Sequence, residues 1–217
     1  MDFAKARELM VEQQVRPWDV LDARVLKVLS LVPRENFVPE AQRKLAYADT
    51  QLPLGDGRFS HKPVYDGRVL QSVLVTRDES VLEIGTGSAY LTACLAGLAK
   101  DVVSLESNAA LAAAAQDKLR ALHVANAIVL EGNAFDLSAL NGKQFDVIVV
   151  NGAMSDVPES LRDALKPDGR LFYVRGTSPA MEAVVVSRQG SGFNTKVQFE
   201  TDVPYLAGAA PKPTFSF

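Results

Sequence analysis

Val81-Leu82-Glu83-Ile84-Gly85-Thr86-Gly87-Ser88-Ala89-Tyr90 is the stretch from which the rest of the chain can be read. Val81, Leu82 and Ile84 read as a short buried strand, Gly85 and Gly87 as a tight turn, and Ser88 to Leu98 as a helix. Such a turn brings bare backbone and a helix N-terminus close to a ligand. A dinucleotide fingerprint would want a third glycine three places after the second. Tyr90 stands there, and Glu83 would repel a phosphate. A ligand carrying a cationic group and hydroxyls suits the turn better; a purely structural turn is the alternative.

Outward from this turn, strands alternate with helices. Ser80–Ile84, Asp101–Leu105 (with Glu106 at its tip), Ala127–Leu130, Phe145–Val150 and Gly169–Val174 read as strands. Asn108–Leu122 and Val157–Leu165 read as helices. This alternation predicts an α/β fold with a parallel sheet covered by helices on both faces. Met181–Arg188 and Phe193–Tyr205 flank Gln189-Gly190-Ser191-Gly192 and predict an antiparallel C-terminal hairpin at the sheet edge. Seven strands result.

Upstream, residues 1–75 read as a helical N-terminal portion on the substrate side, and residues 76–217 as the core, the two forming one compact unit. Phe3, Ala6, Leu9, Met10 and Gln13 recur at helical spacing, as do Val25, Leu26, Leu29 and Val32 up to Pro33. Asp22 or Asp19 is placed to cap the second helix. Pro39–Tyr47 reads as a short helix, and Pro63 opens another that carries Val69, Leu70, Val73 and Leu74. Between them, Leu52–Pro63 is a long loop rich in glycine and proline, a kind of segment that is often functional.

Composition narrows the setting. A net charge of −3 gives no general reason to expect nucleic acid or a membrane surface. The single Cys94 falls in an apolar helical pattern and cannot form an internal disulfide. Residues 1–7 lack the apolar run of a signal peptide, and no run approaches the ~18–20 apolar residues of a spanning helix. A cytoplasmic location is expected. His61 and His123 are the only histidines, without an acidic or sulfur cluster around His123, so no metal site is expected.

Open α/β sheets bind ligands beyond the carboxyl ends of their strands. That rule gathers Glu83 and Gly85, Glu106, Asn133 and Asn151. Glu106 lies about 20 residues past the turn, where a carboxylate accepts from ribose hydroxyls; an ordinary strand-end charge is the alternative. Asn133 offers an amide suited to an adenine edge, or is simply a loop asparagine.

At these residues the chain resembles S-adenosylmethionine-dependent methyltransferases, and among them the protein-L-isoaspartate O-methyltransferases. The likeness rests on Met10–Gln14, Val32-Pro33-Arg34-Glu35-Asn36-Phe37-Val38-Pro39, Ala46–Asp49, Leu52–Gly55 and Val81–Ser88. It continues through Phe145–Val150, Leu165–Leu171 and Val203–Leu206. It implies a Rossmann-like methyltransferase with a mostly parallel seven-stranded sheet, S-adenosylmethionine as cofactor, and isoaspartyl residues of damaged proteins as substrate. Glu83, Gly85, Thr86, Gly87, Ser88, Tyr90, Glu106, Asn133, Ala134 and Asn151 are then the expected cofactor residues. The family's acceptor loop reads Gly-Gln-Thr-Ile-Ser-Gln-Pro; here it reads Gly57-Arg58-Phe59-Ser60-His61-Lys62-Pro63. The family's threonine falls on Phe59 and its serine on His61, with Ser60 one place off.

Ser60 and His61 are therefore the candidate catalytic residues, and Arg58, Phe59 and Lys62 the candidate substrate-side residues. A carboxylate acceptor is already anionic at neutral pH and needs alignment rather than a base. Two alternatives remain: a different, small-molecule or peptide acceptor served by His61 as base, or cofactor binding without transfer.

Overall fold

The computed structural model describes residues 1–55 and 57–211, so Asp56, inside the long loop, lies outside the described residues. The N-terminal portion opens with α1 (Phe3–Leu9), capped by the Asp2 side chain accepting from Lys5 N. The spacing that predicted a helix through Gln13 instead passes at Met10–Val15 into a wider helical turn with i→i+5 bonding. A short 3₁₀ turn at Arg16–Trp18 follows, where Pro17 supplies no N–H. Helix α2 (Ala23–Leu31) starts at Asp22, whose carboxylate accepts from Arg24 N and Val25 N. Asp19 does not cap it and adopts a left-handed conformation at φ 62°. The segment expected to be helical after Pro39 is a 3₁₀ stretch, Glu40–Leu45.

The long loop is more ordered than its composition suggested. Strands β1 (Pro53–Gly55) and β2 (Arg58–Phe59) pair antiparallel into a small hairpin. Its base closes where Ser60 N donates to Leu52 O at 2.8 Å and Leu52 N donates to Ser60 Oγ at 3.1 Å. Helix α3 (Pro63–Val73) begins at proline as expected, with Asp49 Oδ1 accepting from Val64 N in its first turn.

The core then runs β3 (Ser80–Ile84), α4 (Tyr90–Ala96), β4 (Asp101–Glu106), α5 (Ala109–Ala121), β5 (Ala127–Glu131), β6 (Phe145–Ala153), α6 (Glu159–Asp163), β7 (Leu165–Thr177), β8 (Ala180–Gln189) and β9 (Gly192–Thr201). The seven-stranded sheet has the order β5-β4-β3-β6-β7-β8-β9. β3 is parallel to both β4 and β6, and β8 and β9 add antiparallel at one edge. The sequence direction reverses on either side of β3, which puts the topological switch point at its carboxyl end.

Alternate residues of each strand serve opposite faces. Val81, Val102, Val147 and Val149 join one buried cluster, and Leu82, Ile84, Val103, Ile148 and Val150 join the other. The first cluster also takes in Met10, Val15, Leu29, Phe37, Leu70 and Val73, so the N-terminal helices share the apolar core of one sheet face. Near-continuous apolar strands are what burial on both faces demands.

Two strings that carried the family likeness, Val32–Pro39 and Ala46–Asp49, help tie this portion down. Arg34 pairs with Asp66 at 2.6 Å, both side chains at most 3% exposed. Glu35 accepts from the Tyr47 hydroxyl, which itself accepts from Arg7 Nε at 2.8 Å. A Cβ placed on Gly67 of α3 would sit 2.6 Å from Val15 Cγ1. Gly67→Val is therefore expected to lower stability by about 2 kcal/mol or more through overpacking. Urea unfolding followed by far-UV circular dichroism should show a lower midpoint and still a single transition, because both portions share one core.

Candidate active site

At the carboxyl ends of β3, β4 and β6 the chain encloses a cavity of about 340 Å³. Its floor is the glycine turn, where Gly85 (φ 89°) and Gly87 (φ 53°) adopt left-handed conformations. At Gly85 a Cβ would come within 3.2 Å of Leu206 Cδ2 and 3.5 Å of the Asn151 side chain, so only a glycine lets the main chain lie this close to the wall. Thr86, Ser88, Tyr90, Glu106 and Asn151 also line it. Its roof is the β1–β2 hairpin and the residues after it: Arg58, Phe59, Ser60 and His61.

Glu106, at the tip of β4, is 2% exposed and presents its carboxylate to the cavity. Oε2 accepts from Gly87 N at 3.0 Å and Oε1 from Asn108 N at 3.1 Å, which fixes it beside the turn. Arg58 Nη1 reaches down from the hairpin to Oε1 at 2.5 Å. A carboxylate held by backbone N–H groups at this position suits paired hydroxyls. Asn151 donates to Glu83 Oε1 at 2.7 Å and to Gly85 O at 3.0 Å, while its buried Oδ1 has no partner among the described residues. An orphaned acceptor next to a cradle that a Cβ would crowd fits a ligand carrying N–H groups.

Glu83 stands elsewhere than expected. It lies behind the cavity wall, fully buried, on the same sheet face as Val81. Thr92 Oγ1 and Ser104 Oγ (2.6 Å) both donate to Oε2, and Thr86 is hydrogen-bonded to Ser104 at 2.6 Å. Glu83 thus braces β3 against α4, β4 and β6. Asn133 and Ala134 also lie outside the wall. Asn133 Oδ1 accepts from Phe135 N at 2.8 Å and Asp136 N at 3.1 Å, closing the turn after β5, and Ala134 is packed into the second core cluster. Lys62 is exposed at the entry to α3, away from the cavity.

On the acceptor side, Phe59 is 52% exposed and lines the mouth without closing it. The Ser60 oxygen accepts from Leu52 N, which leaves its hydroxyl hydrogen to donate. His61 turns Nδ1 toward Asp66 Oδ1 at 3.3 Å and packs against the Tyr65 ring at 4.6 Å between centroids. Sequence reasoning missed Asp66, Arg34 and the C-terminal crossing. Asp66 was detectable as a lone carboxylate among Val64, Tyr65, Val69 and Leu70. The crossing follows β9, which ends at Thr201 rather than continuing to Tyr205. Ala153 N donates to Pro204 O and Leu206 N to Ala153 O, laying Pro204–Ala207 along one wall.

Among the described residues no group of three or more histidine, cysteine or acidic residues is placed to hold a metal, and no helix is long and apolar enough to cross a membrane. A second groove of about 690 Å³ under α2 is lined by none of the candidate catalytic, cofactor or substrate-side residues.

Burial pushes the Glu83 carboxyl up to about 7, against the lowering effect of Ser104, Thr92, Asn151 and the charge of His61. A carboxyl whose folded value exceeds its ordinary 4.5 adds stability that is complete below about pH 4.5 and is lost as pH rises toward about 7. The amount is on the order of 3 kcal/mol. Glu79 and Asp146, both lowered, act only at more acid pH. Urea midpoints should therefore fall from pH 5 to pH 8 in the parent chain, and fall clearly less in Glu83→Gln.

The comparisons with known proteins agree on one family. The family model for protein-L-isoaspartate(D-aspartate) O-methyltransferase matches residues 5–207. A protein-L-isoaspartate O-methyltransferase of Nitrobacter winogradskyi is 34% identical over 211 residues, covering 96% of this chain and 97% of its own. The protein-L-isoaspartate O-methyltransferase 2 of an Anaeromyxobacter species is 37% identical over 180 residues, 83% of this chain and 74% of its own. A Plasmodium falciparum crystal structure, described as a protein-L-isoaspartate O-methyltransferase in complex with S-adenosyl-L-homocysteine, superposes with a TM-score of 0.79 at 19% identity. It covers 92% of this chain and 97% of that one. With a matching family model over nearly its whole length and relatives above one-third identity, the chain belongs to the protein-L-isoaspartate(D-aspartate) O-methyltransferase family.

Proposed function

We propose that this chain transfers a methyl group from S-adenosylmethionine to the carboxylate of isoaspartyl residues in proteins and peptides. The observation that carries the reading is the cavity itself. It joins a nucleoside-sized cradle, made by Gly85, Gly87 and Glu106, to an acceptor wall made by Phe59, Ser60 and His61. The family's substrate class supports the acceptor, and the described geometry supports the cofactor.

S-adenosylmethionine, when bound, supplies a methyl carbon on a sulfonium sulfur; a carboxylate oxygen lone pair forms the new O–C bond while the C–S pair returns to sulfur. The chain's part is to align the two groups and to keep water away. Glu106, fixed by Gly87 N and Asn108 N, is the residue for the ribose hydroxyls. Asn151, with its unpaired Oδ1, takes N–H groups of the amino-acid end, and Thr86, Ser88 and Tyr90 complete the wall. Asn133 and Ala134, at the end of β5, act through the turn they shape rather than by lining the enclosed cavity. On the acceptor side Ser60 donates its hydroxyl hydrogen, Phe59 provides an apolar lip that excludes water, and Arg58, tied to Glu106, borders the substrate's path at the mouth. Lys62 contributes to the outer approach for an acidic polypeptide.

Two measurements test this. Incubation with an isoaspartyl peptide and labelled cofactor should give base-labile methyl ester; label no higher than with the matched aspartyl peptide would refute the acceptor. Glu106→Ala should weaken S-adenosylhomocysteine binding by about 1–3 kcal/mol in calorimetry, through loss of charged hydrogen bonds; unchanged affinity would remove Glu106 from the ribose site.

A further inference from the structure

We infer that His61 is the anchor for the acceptor carboxylate, gripping it as an imidazolium through Nε2–H, and that Asp66 and Arg34 are the positioning residues that hold it in that pose. The inference rests on the reading of the acceptor given above, and it concerns the position where the family's serine is replaced.

The ring is held on two sides and its backbone on a third. Nδ1 faces Asp66 Oδ1 at 3.3 Å, the Tyr65 ring meets it at 4.6 Å, and its own main-chain carbonyl accepts from Arg34 Nη2. Asp66 cannot turn away, because Oδ2 is taken by Arg34 Nη1 at 2.6 Å in an almost fully buried pair. Arg34 in turn lies over the Tyr90 ring at 4.5 Å. The carboxylate of Asp66 therefore draws the hydrogen of Nδ1, and Nε2 is the nitrogen left for a ligand. The His61 side chain is 18% exposed and forms part of the cavity wall.

Charge decides what Nε2 does. Among the described residues of the wall and the layer behind it, the charged groups cancel in pairs: Arg34 with Asp66, and Arg58 with Glu106. Glu83, the remaining acid on β3 near His61, is enclosed by its own donors. A neutral His61 presents a lone pair at Nε2, which repels an incoming carboxylate. A protonated His61 presents an N–H and an uncompensated positive charge. Carboxylate binding and proton uptake by His61 are thus linked. The proton stays on nitrogen throughout; it holds one carboxylate oxygen while the other attacks, so no base is consumed and none is formed.

The opposite role, a base that removes a proton from a hydroxyl or amine acceptor, needs the neutral ring, so the two roles give pH dependences of opposite sign. The experiment is the pH profile of kcat/KM for an isoaspartyl peptide at saturating cofactor, for the parent chain, His61→Gln and His61→Ala. In the parent, kcat/KM should fall about tenfold or more between pH 6 and pH 8.5. His61→Gln, whose amide donates at every pH, should be flat across that range and keep more activity at pH 8.5 than His61→Ala. His61→Ala should raise the peptide KM, with S-adenosylhomocysteine affinity within about twofold of the parent as proof of an intact fold. Asp66→Asn, where that affinity is kept, should shift the profile rather than merely scale it. A parent profile that is flat or rises with pH, or a His61→Ala variant with unchanged peptide KM, overturns the inference while leaving isoaspartyl methylation standing. Absence of methyl ester at every pH instead overturns the proposed acceptor, and the anchor with it.

Discussion

A single buried carboxyl, that of Glu83, carries the site. It is wholly removed from water, and Thr92 from α4, Ser104 from β4 and Asn151 from β6 close around it. A charged or half-satisfied acid in such a place would be costly, so its three donors and its upward-shifted ionisation are parts of one arrangement. Because the donors come from three different elements, satisfying Glu83 also sets where β3 ends relative to its neighbours. The glycine turn leaves from that point, and Asn151, one of the donors, reaches the turn's own carbonyl.

The N-terminal portion is held by the same kind of interaction at a different radius. Arg34 to Asp66 and Arg7 to Glu35 and Tyr47 cross between segments far apart in sequence. The short polar strings that marked the family are thus the places where polar groups had to be buried in order to join the helical portion to the sheet. Buried ion pairs of this kind contribute little net stability but penalise any arrangement that breaks them. They also bring a charged layer to within one residue of the acceptor wall, which is how a structural pair comes to hold His61.

Much of this was legible in the sequence, for identifiable reasons. Ser80–Ile84 and Asp101–Glu106 are apolar runs buried on both sides, and Asn108 is a strong capping residue, so those boundaries follow from local chemistry alone. Pro63 and Asp22 marked helix starts on the same grounds. Position relative to the cavity was less legible. Glu83 and Glu106 share one sheet face, since Glu83 is level with Ser104, yet Glu106 stands two residues further toward the carboxyl edge, which puts it in the wall and leaves Glu83 behind it. The hairpin of β1 and β2 is too short for periodicity to reveal, and the Pro204–Ala207 crossing depends on contacts with Ala153 that are remote in sequence. Asp66 became important only through Arg34, thirty-two positions away.

The bond from Arg58 to Glu106 has a kinetic side. It is a tether with one end 34% open to solvent and the other almost fully buried, so the arginine leaves at little cost only when other donors take its place on the carboxylate. A nucleoside settling on Glu106 would compete with the arginine for the same oxygens, releasing the Arg58 side chain as it docks. Entry of fresh cofactor and departure of the spent one would then be governed by the swing of one side chain, and added electrolyte would loosen the doorway before it disturbed the walls.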